Sequence, residues 1–253
     1  FRGLAPEPAR RRQLHPEGRA ELVALKNEVA SGAAIRPLKR ITDDEERAWQ
    51  FAHAQRASES WHGTDWFFAE TFVYRRLIEA VGYYDTRIDP FQPIKRHDYS
   101  SAQHQSLFDA ALEVTGPRDQ RLHTLIAKDL WGNRVDLSYA ESRSHGMVTA
   151  DEDLLIDDRT RIIRHLHDRN DDVHIVADNA GTELTLDLVL VDVLLSDHWA
   201  KRVTLHVKFH PTFVSDAIQS DVIEFLDSCA SGRFGQRAAG MADRLHSHLS
   251  QGR

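Results

Sequence analysis

Residues 171–210 read DDVHIVADNAGTELTLDLVLVDVLLSDHWAKRVTLHVKFH, and the fold class turns on the middle of this stretch. Its opening, DDVHIVADN, is a short run of β-formers halted by Asp178-Asn179 and Ala180-Gly181. Its end, RVTLHVKFH at 202–210, is a second such run. Between them Leu184, Leu186, Leu188 and Leu190 alternate as a strand would, while Leu184, Leu188, Val191 and Leu195 recur at helical spacing. Connectivity decides. Two buried parallel strands need a crossover of about a dozen residues or more, usually a helix, and the intervening segment has that length. The reading is β-α-β with a right-handed crossover, which makes the second half α/β. A further helix is expected over SDAIQSDVIEFLDSCASG, capped by Ser215 or Asp216. Asp187 and Asp192 fall inside the apolar crossover, and one of them is expected to face solvent.

The first half reads helical. In WHGTDWFFAETFVYRRLIEAVGYYD, Thr64 or Asp65 can cap a helix running to about Gly82. Trp66, Val73, Leu77 and Val81 form its apolar stripe. Glu70 falls on that stripe, where a carboxylate is costly unless paired. It is either an ion-pair partner or a group aimed into a site. DPFQPIK, Asp89 to Lys95, reads as a turn-rich connector.

The totals set outer limits. With 253 residues and 41% hydrophobic content, the chain suffices for one large domain or two small ones. A net charge of -7 argues against a general nucleic-acid surface. The basic excess in residues 1–40 reads as a solvated, partly helical extension. Cys229 is the sole cysteine, which leaves no partner for an intrachain disulfide and fits a reducing, cytoplasmic setting. No apolar run approaches the ~20 residues that span a bilayer, and no signal peptide is expected. G-x-G-x-x-G, G-x-x-x-x-G-K-[ST], G-x-S-x-G and H-E-x-x-H do not occur.

Ligands of parallel sheets bind outside the carboxyl ends of the strands. Asp178 and Asn179 end the first strand, and Asp216 lies in the loop after the second. Two carboxylates and an amide oxygen suit a hard ion such as Mg²⁺ or Mn²⁺. The same residues also make turns for local reasons. His206, Lys208 and His210 alternate with Leu205, Val207 and Phe209, so the second strand has a polar face. Either this is the wet face of an edge strand, or Lys208 holds a phosphate as a point charge. LWGNRVDLS adds Asn133 and Asp136, as a loop or as a site edge.

Several blocks together, WFFAETFVYRR, DPFQPIK, LWGNRVDLS, VADNAGTELTLDLVL and the K-x-x-P-x-F-V-S-D run from Lys208 to Asp216, resemble the DUF89 proteins in the same order. These are the damage-control phosphatases, also called acidic-residue methyltransferase-like, and the similarity is to the sugar-phosphate branch. The resemblance covers roughly residues 50–225. It implies a helical N-terminal portion, 1–120, packed on a Rossmann-like α/β metal-binding domain with a mainly parallel sheet, 121–253. It implies a phosphatase dependent on Mn²⁺, Mg²⁺, Co²⁺ or Ni²⁺ that acts on a small phosphorylated metabolite such as fructose-1-phosphate; charge and hydropathy, as above, lead to no expected nucleic-acid or membrane partner. Its metal ligands carry over to Asp178, Asn179 and Asp216. Glu183 matches a substrate-pocket Glu, Lys208 and Asn133 match polar residues near the phosphate, and Glu70 is a further substrate-binding candidate. The family's C-terminal lysine-glycine-aspartate and Arg-Thr-x-Lys blocks are absent from this sequence, so the C-terminal part of the family fold is expected to be missing. Methyl transfer from S-adenosylmethionine to a carboxylate is the alternative activity, and a non-catalytic phosphometabolite-binding module is another.

Overall fold

The structure, a computed structural model, describes residues 14–39, 44–132, 154–169 and 171–252. They form a mixed α/β protein with far more helix than strand. The chain divides into two compact units, residues 1–90 with 210–213, and residues 91–209 with 214–253.

In the first unit lie α1 (Pro16–Ser31), α2 (Asp44–Ala54), α3 (Trp66–Ala80) and α4 (Tyr83–Thr86). Helix α3 starts where its cap predicts, with the Asp65 carboxylate accepting from Phe68 N at 3.0 Å. Its buried face differs from the expected stripe. Trp66 is 71% exposed, and the buried side carries Phe68, Phe72, Arg75, Arg76 and Ile78. Phe68 and Phe72 stack at 5.1 Å, and Arg75 meets the buried Glu46 at 3.0 Å. Arginines paired inside the core defeat a reading based on apolar spacing alone. Glu70 lies on the exposed side of the helix.

The second unit holds α5 (Gln92–Asp98), α6 (Ala102–Leu112), α7 (Arg118–Leu130), α8 (Arg159–Arg169), β1 (Asp172–Val176), α9 (Thr182–Ser196), β2 (Arg202–His206), α10 (Gln219–Ala230) and α11 (Gln236–Ser250). β1 and β2 pair in parallel, Asp172 opposite Arg202 through Val176 opposite His206, and α9 is the crossover. A helix apolar on every side must be buried, and α9 is, from Thr182 to Leu195 apart from the half-buried Glu183. Leu184, Leu188 and Leu195 join Phe108, Leu122, Phe225 and Met241 in one core. Asp187 and Asp192 are both buried, against the expectation that one of them faces solvent. Asp192 is held by the Arg244 guanidinium at 2.9 and 2.6 Å. Asp187 faces Asp129 of α7.

Three local boundaries also differ from the sequence reading. β2 ends at His206, because the next residues turn to pair with 217–218. α10 begins at Gln219, with the Asp221 carboxylate accepting from Ile218 N at 3.0 Å, so neither Ser215 nor Asp216 is its cap. DPFQPIK is not simply a connector, since α5 starts inside it with Pro93 in the first turn, a position that needs no amide donor. The polar side of the sheet is wet. His174 and His206 are exposed there, stacked with their rings 5.1 Å apart. Among the described residues no helix is long and apolar enough to cross a membrane.

Candidate functional site

Asp178, Asn179, Glu183, Lys208 and Asp216 come together beyond the carboxyl ends of β1 and β2. Backbone pairing sets the frame. Ala177 N donates to His206 O at 2.9 Å and so carries the β1–β2 pairing one residue past the strand. The loop after β2 then returns. Ala180 N donates to Ser215 O at 2.7 Å, Ala217 N to Asp178 O at 2.8 Å, and Lys208 N to Ala217 O at 2.8 Å. Asn179 and Asp216 thus face each other as an antiparallel bridge. The turn that delivers Asp216 is strained, since Phe213 and Val214 hold φ of 46° and 68°. A β-branched residue rarely adopts that conformation, and such strain gathers at functional sites.

The side chains are ordered by donor and acceptor logic. An ionised carboxylate only accepts, so the Asn179 amide nitrogen faces Glu183, 2.9 Å from its Oε2. Asn179 Oδ1 then accepts from Ser215 Oγ at 2.7 Å. A carbonyl oxygen has two lone pairs, so this bond does not exclude a cation. Lys208 Nζ lies 2.7 Å from Asp178 Oδ1 and 3.6 Å from Asp216 Oδ2. Burial pushes the Asp216 carboxyl above its ordinary value, against the pull of Lys208. Burial acts to lower the Lys208 ammonium, but the bond to Asp178 and the charge of Asp216 outweigh it and leave it raised.

Helix α5 supports the cluster from residues that sequence reasoning missed. Lys95, almost wholly buried, donates to Asp216 O and to Asp221 Oδ2, both at 2.8 Å. Asp98 Oδ2 accepts from Thr182 N at 2.8 Å and from Thr182 Oγ1 at 3.0 Å. Tyr99 OH accepts from Gly181 N at 3.0 Å, and burial keeps this phenol protonated by pushing its pKa well above the ordinary value. One short helix therefore ties down both ligand-bearing loops. It also occupies the first amides of α9, which would otherwise face an anion. The signal available was Lys95 in DPFQPIK, an ammonium in an apolar setting; nothing local marked Asp98 or Tyr99.

The donor set suits a hard divalent ion. Two carboxylates converge on the Lys208 ammonium, so the position is complementary to positive charge, while the Asn179 amide turns its nitrogen toward Glu183 and, at 3.4 Å, Asp178 Oδ2, and its oxygen toward Ser215. Among the described residues no three His, Cys, Asp or Glu side chains form a metal-binding group. The set here counts only two acids and depends on Asn179. Of the other expected residues, Glu70 belongs to the first unit, and Asn133 and Asp136 lie outside the described residues. His206 and His210 do not share a ligand position. His206 Nε2 contacts His174 Nδ1 at 2.8 Å, and His210 contacts Glu45 at 2.9 Å. Cys229 is buried, and burial pushes its thiol up to about 12, so it is no nucleophile.

Comparison with known proteins adds a family. A sequence model of the damage-control phosphatase ARMT1-like domain matches residues 7–252. Proteins named Damage-control phosphatase ARMT1 are similar to this chain. The one from Danio rerio is 29% identical over 243 residues, covering 79% of this chain and 52% of its own length. That from Mus musculus is 29% identical over 245 residues, covering 82% and 55%. The chain thus spans about half the length of the curated relatives it matches.

Proposed function

This chain belongs to the damage-control phosphatase ARMT1-like domain family, and from that premise we propose that Asp178, Asn179 and Asp216 hold a divalent ion for the hydrolysis of small phosphomonoesters. Sugar phosphates such as fructose-1-phosphate are the substrate class, and Mn²⁺, Mg²⁺, Co²⁺ or Ni²⁺ the ion. The observation that carries this reading is the meeting of the Asp178 and Asp216 carboxylates on one lysine at the carboxyl ends of two parallel strands, with Asn179 bridged to Asp216 through the backbone.

The roles follow from burial and bonding. Asp216, 8% exposed, is fixed by Lys95 through its own backbone carbonyl and acts as the rigid ligand. Asp178, 56% exposed, faces the substrate side. Glu183 and Ser215 fix the Asn179 amide from its two ends, and an ion would take the second lone pair of its oxygen. The ion supplies charge that polarises a phosphoryl oxygen. Lys208 meets the charge spread over the other phosphoryl oxygens, as positioning and electrostatics dominate such reactions. A P–O bond from water forms, the ester P–O bond breaks, and the alcohol leaves with a proton from the attacking water.

The test is phosphate release from p-nitrophenyl phosphate and fructose-1-phosphate by chelator-treated protein, with each ion restored in turn. Release that returns with at least one of the four ions is expected. Release that is unaffected by chelation, or that none of them restores, contradicts the reading.

A further inference from the structure

We propose that Lys208 is a tethered competitor for the divalent ion, its ammonium exchanging with the ion for the carboxylates of Asp178 and Asp216. The inference rests on the reading that those carboxylates are ion ligands. Lys208 Nζ is 2.7 Å from Asp178 Oδ1 and 3.6 Å from Asp216 Oδ2. A divalent ion takes carboxylate oxygens at roughly 2.0–2.6 Å, so it needs the oxygens that the ammonium already engages. Two cations within a few ångströms of each other, in a partly buried site, repel strongly. Ion and ammonium therefore cannot both be seated.

The tether allows the exchange. The Lys208 backbone is fixed, since its N–H donates to Ala217 O at 2.8 Å. Its side chain is 37% exposed and rides on a flexible stem, so the ammonium can swing out without unfolding anything. Lys95 offers the contrast. It is locked between Asp221 and the Asp216 carbonyl, with 1% of its side chain exposed. Lys208 is thus the movable charge of the cluster. Once displaced, it is positioned beside the ion, where a phosphoryl group would sit. Removing the Lys208 charge accordingly has opposite effects on the two ligands, tighter ion and weaker phosphate.

The experiment is a Mn²⁺ titration followed by the spin resonance of the free ion, on the unaltered chain, Lys208→Gln and Lys208→Arg, then inorganic phosphate binding at saturating Mn²⁺. An ion pair open to solvent on the Asp178 side stabilises only modestly, so Lys208→Gln is expected to bind Mn²⁺ roughly three- to tenfold more tightly. Lys208→Arg, which keeps the charge, stays near the unaltered chain. Phosphate binding weakens in Lys208→Gln. An ion affinity that is unchanged or weaker in Lys208→Gln overturns the competition, and undiminished phosphate binding overturns the hand-over. If the unaltered chain binds Mn²⁺ but Lys208→Gln does not gain, the metal site stands and only this inference falls. If none of the three binds Mn²⁺, the metal reading fails and the competition with it.

Discussion

Gly181 shows how tightly single positions are specified at the cluster. Its φ is +81°, and a Cβ there would lie 2.3 Å from Asp98 Oδ2. That oxygen is engaged by Thr182 N and Oγ1, so it has little room to retreat. Gly181→Ala is therefore expected to lower stability by roughly 1–3 kcal/mol and to weaken Mn²⁺ binding, because Asn179 lies two residues upstream. Urea unfolding with a parallel Mn²⁺ titration checks both, and an alanine variant of unaltered stability would remove Asp98 as the constraint. At this scale the sequence was partly readable. Asp178, Asn179 and Asp216 stand out because strand ends present them, and the structure gathers them. Asp98 could not be read, since it reaches Gly181 and Thr182 across more than 80 residues and no local pattern records that approach.

Helix α9 carries the second device. Asp187 is buried against Asp129, and burial together with that neighbour pushes its carboxyl up to about 9 from an ordinary 3.8. Burial likewise raises Asp129. The pair therefore keeps a proton in the folded state that the unfolded chain releases. A group whose folded pKa is raised contributes stability that is complete below its unfolded pKa and lost as pH rises through the folded one. Melting temperature is expected to fall between about pH 5 and pH 9, and Asp187→Asn, which has no proton to lose there, should flatten that fall. Parallel curves for the two proteins would show that the pair is not responsible. The β-α-β reading of this region holds because connectivity, not leucine spacing, settled it. The fate of Asp187 and Asp192 was not legible, since their partners Asp129 and Arg244 come from α7 and α11. The same limit hid the buried arginines of α3 and the start of α10, where Asp221 caps a backbone turned by tertiary pairing.

For the molecule as a whole, the net charge of -7 argues against a general nucleic-acid surface, and among the described residues no helix is long and apolar enough to cross a membrane. The chain spans about half of its relatives' length, so ion binding by the cluster is the property it tests most directly. The deciding measurement is the Mn²⁺ affinity and stoichiometry of the unaltered chain beside Asp178→Asn, Asn179→Ala and Asp216→Ala. One ion per chain is predicted, with affinity falling roughly 10–100-fold or more in each variant. An affinity that survives in all three would place the ion elsewhere and contradict the account.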